Sequence, residues 1–252
     1  THCVRNTSGL SQPCCVSGGK PEGRGGKEMT AKKMVRNIEP DDPMLQYSGR
    51  IDDDDPKAPV LIYAASWVKM IFTGTSVAVT LANHHAYWTN EMGYLLDGVQ
   101  GRIRLLNDGK KKTYEIAEQL PDARHELMLF KRMDACHTVT FYGFTVDDGA
   151  DLLPPEPKPA RRMEVFGDSV SCGEVSEAVD YVGKEDPVHD GQYSNSWYSY
   201  AWMTARKLGA ELHDTSQGGI ALLDGTGWFG APAYYGVCLL YTSPSPRDRT
   251  RS

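Results

Sequence analysis

Between Leu153 and Pro159 the chain reads Leu-Pro-Pro-Glu-Pro-Lys-Pro, and apolar residues follow different periods on either side of that run. Each proline fixes φ and lacks a backbone donor, so the segment is kept out of a sheet interior and acts as a stiff connector. Before it, from Met34 onward, short alternating or apolar stretches such as SWVKMIFTG, TSVAVTLAN, GYLLDG, ELMLFKRMD and HTVTFYGFTVDDG are broken by turn residues. A spacing of roughly 8–12 residues between such stretches is that of an antiparallel sandwich or jelly roll. The run from Arg104 to Lys110, with Asn107, Asp108 and Gly109 at its centre, predicts a tight hairpin, because these residues tolerate the backbone angles of such turns. Beyond the prolines, RMEVF (162–166) reads as a buried strand. NSWYSYAWMTARKLGA (195–210) reads as a helix with Trp197, Ala201, Thr204 and Leu208 on one face and Gly209 as terminator, and AELHDTSQGG as a second strand entering a glycine turn. Strand, helix, strand in that order implies parallel pairing, so an all-β part is followed by an α/β part.

The expected organisation is a head over 1–33 without apolar periodicity, disordered or non-native; a β-sandwich over 34–152; a linker over 153–161; an α/β domain over 162–236; and a tail over 237–252. The tail, with Ser-Pro-Ser-Pro and alternating Arg and Asp, resembles translated adaptor sequence more than protein. A single βαβ unit does not cover both faces of a parallel sheet, so the α/β domain reads as incomplete. The formal charge of -6 argues against a nucleic-acid surface, which rests on clustered Lys and Arg. No apolar run reaches the roughly 18 residues that would span a bilayer. Of six cysteines, Cys136 and Cys172 alone lie in patterned sequence, as two thiols or as a disulfide.

The chemistry centres on Phe166-Gly167-Asp168-Ser169. A serine at the carboxyl end of the first parallel strand stands where open α/β sheets bind ligands, and the backbone N–H groups after it can face an oxyanion. Taken alone, Gly-Asp-Ser is equally a turn or a helix cap. A second strand ends at Ser216-Gln217-Gly218-Gly219, where glycine lets a backbone N–H approach an acyl oxygen, or simply makes a βα turn. Other candidates are weaker. Trp228 and Phe229 wall a sugar pocket or fill the core; Asn195 contacts substrate at the start of the helical run; His84 and His85 with Tyr87 and Trp88 form a sugar-stacking surface or an exposed loop. Asp52 to Asp55 read as a solvated run, and His213 as a core histidine.

These stretches together resemble the SGNH or GDSL hydrolases, and more narrowly the family 2 carbohydrate esterases, in which a jelly roll precedes a flavodoxin-like three-layer SGNH domain. The similarity runs from about 45 to 236 through YSGRID, FTGTSV, LLDG, FKR, GFTVDDGADLLPPEP, GDSVSCGE, NSWYSYAWMTARKLGAELH and SQGGIALLDGTGWF. The resemblance implies that Ser169 is the nucleophile, that its amide and that of Gly218 or Gly219 form the oxyanion hole, and that acetyl groups are removed from plant-wall polysaccharide or its oligosaccharides. It implies no cofactor and no metal, a monomer, and an extracellular or periplasmic location. The family's histidine base belongs to a late Asp-x-x-His segment after further strands, beyond the homologous part of this sequence, so the chain by itself is expected to be inactive. Asp186-Pro187-Val188-His189 has that spacing but reads as a loop beside the cleft. Two alternatives stay open: an esterase of lipids or other small esters, and a non-catalytic carbohydrate-binding remnant.

Overall fold

The computed structural model describes residues 35–188 and 190–221. The expectations for the head, for His189, for Trp228 and Phe229 and for the tail lie outside the described residues. Twelve strands come first: β1 Val35–Ile38, β2 Gln46–Ser48, β3 Ile51–Asp52, β4 Val60–Leu61, β5 Trp67–Gly74, β6 Val77–His84, β7 Glu91–Leu96, β8 Val99–Arg104, β9 Lys112–Ala117, β10 Ala123–Lys131, β11 Thr138–Asp147 and β12 Leu152–Leu153. All of them pair antiparallel, in two six-stranded sheets. One runs β3-β4-β11-β6-β9 with β1 also on β11; the other runs β12-β5-β10-β7-β8 with β2 also on β5.

Alternation makes this a sandwich. Val68, Met70 and Phe72 of β5 and Leu127 and Leu129 of β10 share one buried core with Val77, Val79 and Leu81 of β6 and Phe141 and Phe144 of β11. Asp147 ties the tight turn between β5 and β6. It accepts from the Thr75 and Ser76 amides at 2.5 and 2.9 Å and from their hydroxyls at 2.9 and 2.8 Å.

The predicted hairpin at Arg104–Lys110 is corrected. A turn does form there, with Gly109 at φ 64°, but β8 pairs with β7 while β9 pairs with β6 in the other sheet. Local turn chemistry bends the chain without saying which strand comes next. The two-residue hairpin is one element earlier, at Asp97-Gly98, where φ is 52° and 81° and Leu96 faces Val99. An Asp-Gly pair between alternating residues is the signal for it.

After the prolines, β13 (Arg161–Gly167) and β14 (Ala210–Ser216) pair in parallel. Between them lie α1 (Ser169–Cys172) and α2 (Tyr200–Leu208). The helix predicted over 195–210 is broken. Asn195 caps a 3-10 turn at 196–198, then the Ser199 hydroxyl accepts from the Trp202 amide at 3.1 Å and starts α2 afresh. Restarting shifts the phase, so Ala201, Trp202 and Ala205 are buried, whereas Thr204 is exposed and Leu208 is 50% exposed. Gly209 ends α2 in the left-handed conformation, as its place in sequence predicts. The strand expected to be buried, β13, is not: no residue of it is fully buried and Phe166 is 53% exposed. Among the described residues β14 is its only strand partner.

The α/β part rests on one end of β10. Phe130 packs against Trp197 and Trp202 at centroid distances of 5.8 and 5.2 Å, and Arg206 lies 3.7 Å above the Trp197 ring. Gly93, opposite Phe130 on β7, leaves room for that ring; a Cβ there would sit 2.1 Å from Phe130 Cζ. The next two residues staple the segment before α2. Lys131 O accepts from Ser196 Oγ at 2.7 Å, and Arg132 O from the Ser196 amide at 2.9 Å. Arg132, 2% exposed, donates through Nε to Ser194 O at 3.0 Å and through a terminal nitrogen to Glu177 at 2.7 Å. The apolar stripe of one part therefore packs on the other, and their charges interlock beside it.

Candidate active site

Parallel pairing brings the two strand ends together. Gly167 is in register with Ser216, and the Gln217 amide donates to Gly167 O at 3.2 Å. Ser169 and the Gly218-Gly219 turn thus follow directly from adjacent strand ends. Gly167 is required by space: a Cβ there would lie 1.9 Å from Ser171 Oγ. Asp168 caps α1, its carboxylate accepting from the Val170 amide at 3.0 Å. Ser169 begins the helix half-buried, while Ser171 turns inward to Tyr200 Oη at 2.7 Å. Neither the amide nor Oγ of Ser169 is hydrogen-bonded to any of the described residues.

At the other end of α1, Gly173 is left-handed and touches Asn195; its carbonyl accepts from the Asn195 amide at 2.9 Å. Asn195, a candidate for substrate contact, is 0% exposed. Its Nδ2 donates to Glu177 at 2.6 Å and its Oδ1 accepts from the Trp197 amide at 3.1 Å. Both ends of the side chain are consumed inside the protein, so it works as a cap.

The glycine turn has a partner that spacing does not reveal. Asp134, three residues past the end of β10, accepts from the Gly218 amide at 2.7 Å in a buried contact. A Cβ at Gly218 would meet Asp134 at 2.7 Å and Glu174 at 3.2 Å. Gly219, at φ 74°, donates its amide to none of the described residues. Asp134 and Glu174 also line a small crevice with Trp88, Met133, Cys172 and Ser194. Burial, reinforced by the nearby charges of Asp134, Asp168 and Asp186, raises the Glu174 carboxyl above its ordinary value. Cys136 and Cys172 are free thiols, not a disulfide. Burial lifts both, Cys136 to about 11. Trp88 stacks edge-on with Tyr87 at 5.0 Å, and Tyr87 with His137 at 4.9 Å, so aromatic residues of the loop after β6 flank the crevice. His84 is exposed and lies 3.3 Å from Thr140. His213 is part of β14 and faces a cleft with Arg50 and Glu164; burial lowers its pKa. The acidic run closes local turns, with Asp52 and Asp55 accepting from the amides of Asp54 and Lys57. No described helix is long and apolar enough to cross a membrane.

Fold and site define a class: a β-sandwich carrying a parallel α/β unit whose first strand delivers a serine beside a glycine turn. Within that class, residues 47–156 match the family described as Carbohydrate esterase 2 N-terminal. The chain is 32% identical over 193 residues to the Cellulase/esterase CelE of Acetivibrio thermocellus, covering 76% of this chain and 22% of that protein. It is 26% identical to the Acetylxylan esterase / glucomannan deacetylase of Cellvibrio japonicus, covering 84% of this chain and 58% of the relative. The solved family two carbohydrate esterase from Cellvibrio japonicus superposes with a TM-score of 0.67 at 25% identity, over 80% of this chain and 57% of that one. In sequence and fold, then, the chain is similar to family 2 carbohydrate esterases. It spans little more than half of the second relative and of the solved structure, and under a quarter of the first.

Proposed function

We propose that this chain is part of a serine esterase that removes acetyl groups from plant-wall polysaccharides or their oligosaccharides, xylan and glucomannan being the leading substrates. One observation carries the reading: Ser169, whose amide and hydroxyl bond to none of the described residues, leaves the strand end adjacent to the one that leads into the glycine turn. In the proposed reaction a base takes the Ser169 proton and Oγ attacks the acetyl carbonyl. The Ser169 and Gly219 amides hold the resulting oxyanion, since Gly218 already donates to Asp134. Collapse expels the sugar hydroxyl, which recovers the proton from the base, and water then releases acetate from Oγ. The base is proposed to be a histidine of the whole protein, in a part of the α/β domain that this chain does not supply. The two domains over 34–152 and 162–236, a monomeric state and a location outside the cell or in the periplasm belong to the same proposal.

The test is acetate release from acetylated xylan and glucomannan. The full gene product is expected to release acetate and its Ser169→Ala form is not; equal rates from the two would overturn the assignment. The 252-residue chain assayed alone is expected to release none. Ser169-dependent turnover by it would refute the missing base.

A further inference from the structure

We infer that Asp134, a residue of the β-sandwich, is a positioning residue for the oxyanion turn of the α/β part. The inference rests on the esterase reading for its catalytic consequence, but not for the contact itself. Asp134 is 6% exposed and its groups are engaged on three sides. The fully buried Lys131 ammonium donates to the carbonyls of Met133, at 2.7 Å, and Asp134. Oδ1 accepts from the Cys136 amide at 3.2 Å, and Oδ2 from the Gly218 amide at 2.7 Å. Lys131 is itself the last residue of β10, fixed by the ladder to β7, so each link from a rigid strand to the glycine turn is a hydrogen bond.

This arrangement does two things for the turn. A carboxylate acceptor gives a shorter and stronger bond to an N–H than a neutral one, and it follows a strand of a different sheet from β14. Among the described residues, the turn is otherwise held by the Gln217 amide on Gly167 O and by a weak Ile220 to Gln217 contact at 3.4 Å. Occupying Gly218 also decides which of the two adjacent amides remains for a ligand: Gly219. The glycine at 218 then has a purpose other than donating to the reaction, because any side chain there would run into Asp134 and Glu174.

The experiment uses the 252-residue chain labelled with ¹⁵N-glycine, comparing wild type with Asp134→Ala and Asp134→Asn. Asparagine keeps an oxygen for the Gly218 amide and alanine does not. The Gly218 amide proton is expected downfield in wild type, as a short charge-assisted bond gives, and shifted upfield in Asp134→Ala. Its hydrogen exchange should speed up at least tenfold in that variant while the glycine amides of the sandwich strands, Gly93 in β7 and Gly143 in β11, are unchanged; Asp134→Asn should restore most of the protection. Unchanged Gly218 exchange in Asp134→Ala would overturn the inference, as would acceleration spread evenly over the sandwich. In the full gene product, Asp134→Ala is expected to lower kcat about 100-fold, as a displaced donor does, with KM within a few-fold and recovery in Asp134→Asn. A lost KM with intact kcat would refute the positioning role. If Ser169 proves irrelevant to acetate release, the esterase reading falls, and the exchange data alone decide whether Asp134 holds the turn.

Discussion

Replacing Arg132 with methionine isolates the joint between the two parts of the molecule. Methionine keeps the apolar stem and removes the guanidinium. Ser194 O loses the donor it meets at 3.0 Å, and an unsatisfied buried carbonyl costs about 1–3 kcal/mol. Glu177, with its side chain 28% exposed, rehydrates, so the lost 2.7 Å pair adds at most about 1 kcal/mol. Glu91 is worse placed: its side chain is 6% exposed, and after the change its remaining cation is the mostly exposed Arg102 at 3.4 Å. A further 1–3 kcal/mol or so follows from stranding it. The total of about 2–7 kcal/mol brackets the roughly 3–5 kcal/mol that removing one member of a buried pair costs. Urea unfolding followed by tryptophan fluorescence reads it, because Trp197 and Trp202 lie against the same joint. Glu177→Gln, measured alongside, is expected to lose only about 1 kcal/mol. A loss for Arg132→Met no larger than the roughly 0.5 kcal/mol of an ordinary surface change would refute the reasoning.

Other perturbations have signs fixed by the structure. Gly93→Ala places a methyl in the Phe130 ring and should cost about 1–3 kcal/mol, read as a lowered Tm; an unchanged Tm would show that the ring moves aside freely. Burial alone would lower the His125 pKa, but hydrogen bonds to the Asp97 carboxylate at 2.6 Å and to Pro121 O at 2.8 Å outweigh it and raise the value. The stabilisation is therefore full below the unfolded histidine value of about 6.5 and is lost as pH rises through the folded one. Asp97, where burial is outweighed by the Glu126 amide and His125, has a lowered pKa and acts oppositely: its contribution is lost as pH falls through its folded value. His125→Asn should flatten the decline in unfolding free energy above pH 6.5, and an unaltered slope would count against the pair. Burial raises the Asp214 carboxyl to about 7, against the opposing Ser216 bond, and its Oδ2 has no hydrogen-bond partner among the described residues. That group favours folding below its unfolded value and loses the contribution as pH rises through the folded one, so Asp214→Asn should gain stability relative to wild type from pH 5 to pH 8; a constant difference would refute the shift.

How much of this could be read from the sequence depended on distance along the chain. Alternation in SWVKMIFTG and ELMLFKRMD marked β5 and β10, because the period of 2 is a local property of a half-buried strand. Parallel pairing of β13 with β14 followed from the order of elements. Phase and partner were harder. The break at Ser199 moved the buried face of α2, and a serine capping within a helical run looks the same as one on its surface. Asn107-Asp108-Gly109 gave the bend but not the sheet change, which depends on where β6 and β7 already lie. Several stretches that suggested the family are scaffold: FTGTSV is the turn tied by Asp147, and FKR is the end of β10 on which the α/β part rests. Asp134 was invisible because its partner lies 84 positions away. Its one local signal was an acid placed directly after Lys-Arg-Met at a strand end.

The short stretch Phe130–Asp134 has a bearing on recombination. A crossover placed in the proline-rich connector would keep every strand of each part intact, and would look safe by any rule based on secondary structure. It would nevertheless separate Phe130 from the tryptophans, Arg132 from Ser194, and Asp134 from Gly218. A chimera between relatives should therefore inherit these five residues from the donor of the α/β part, although by position they belong to the other parent.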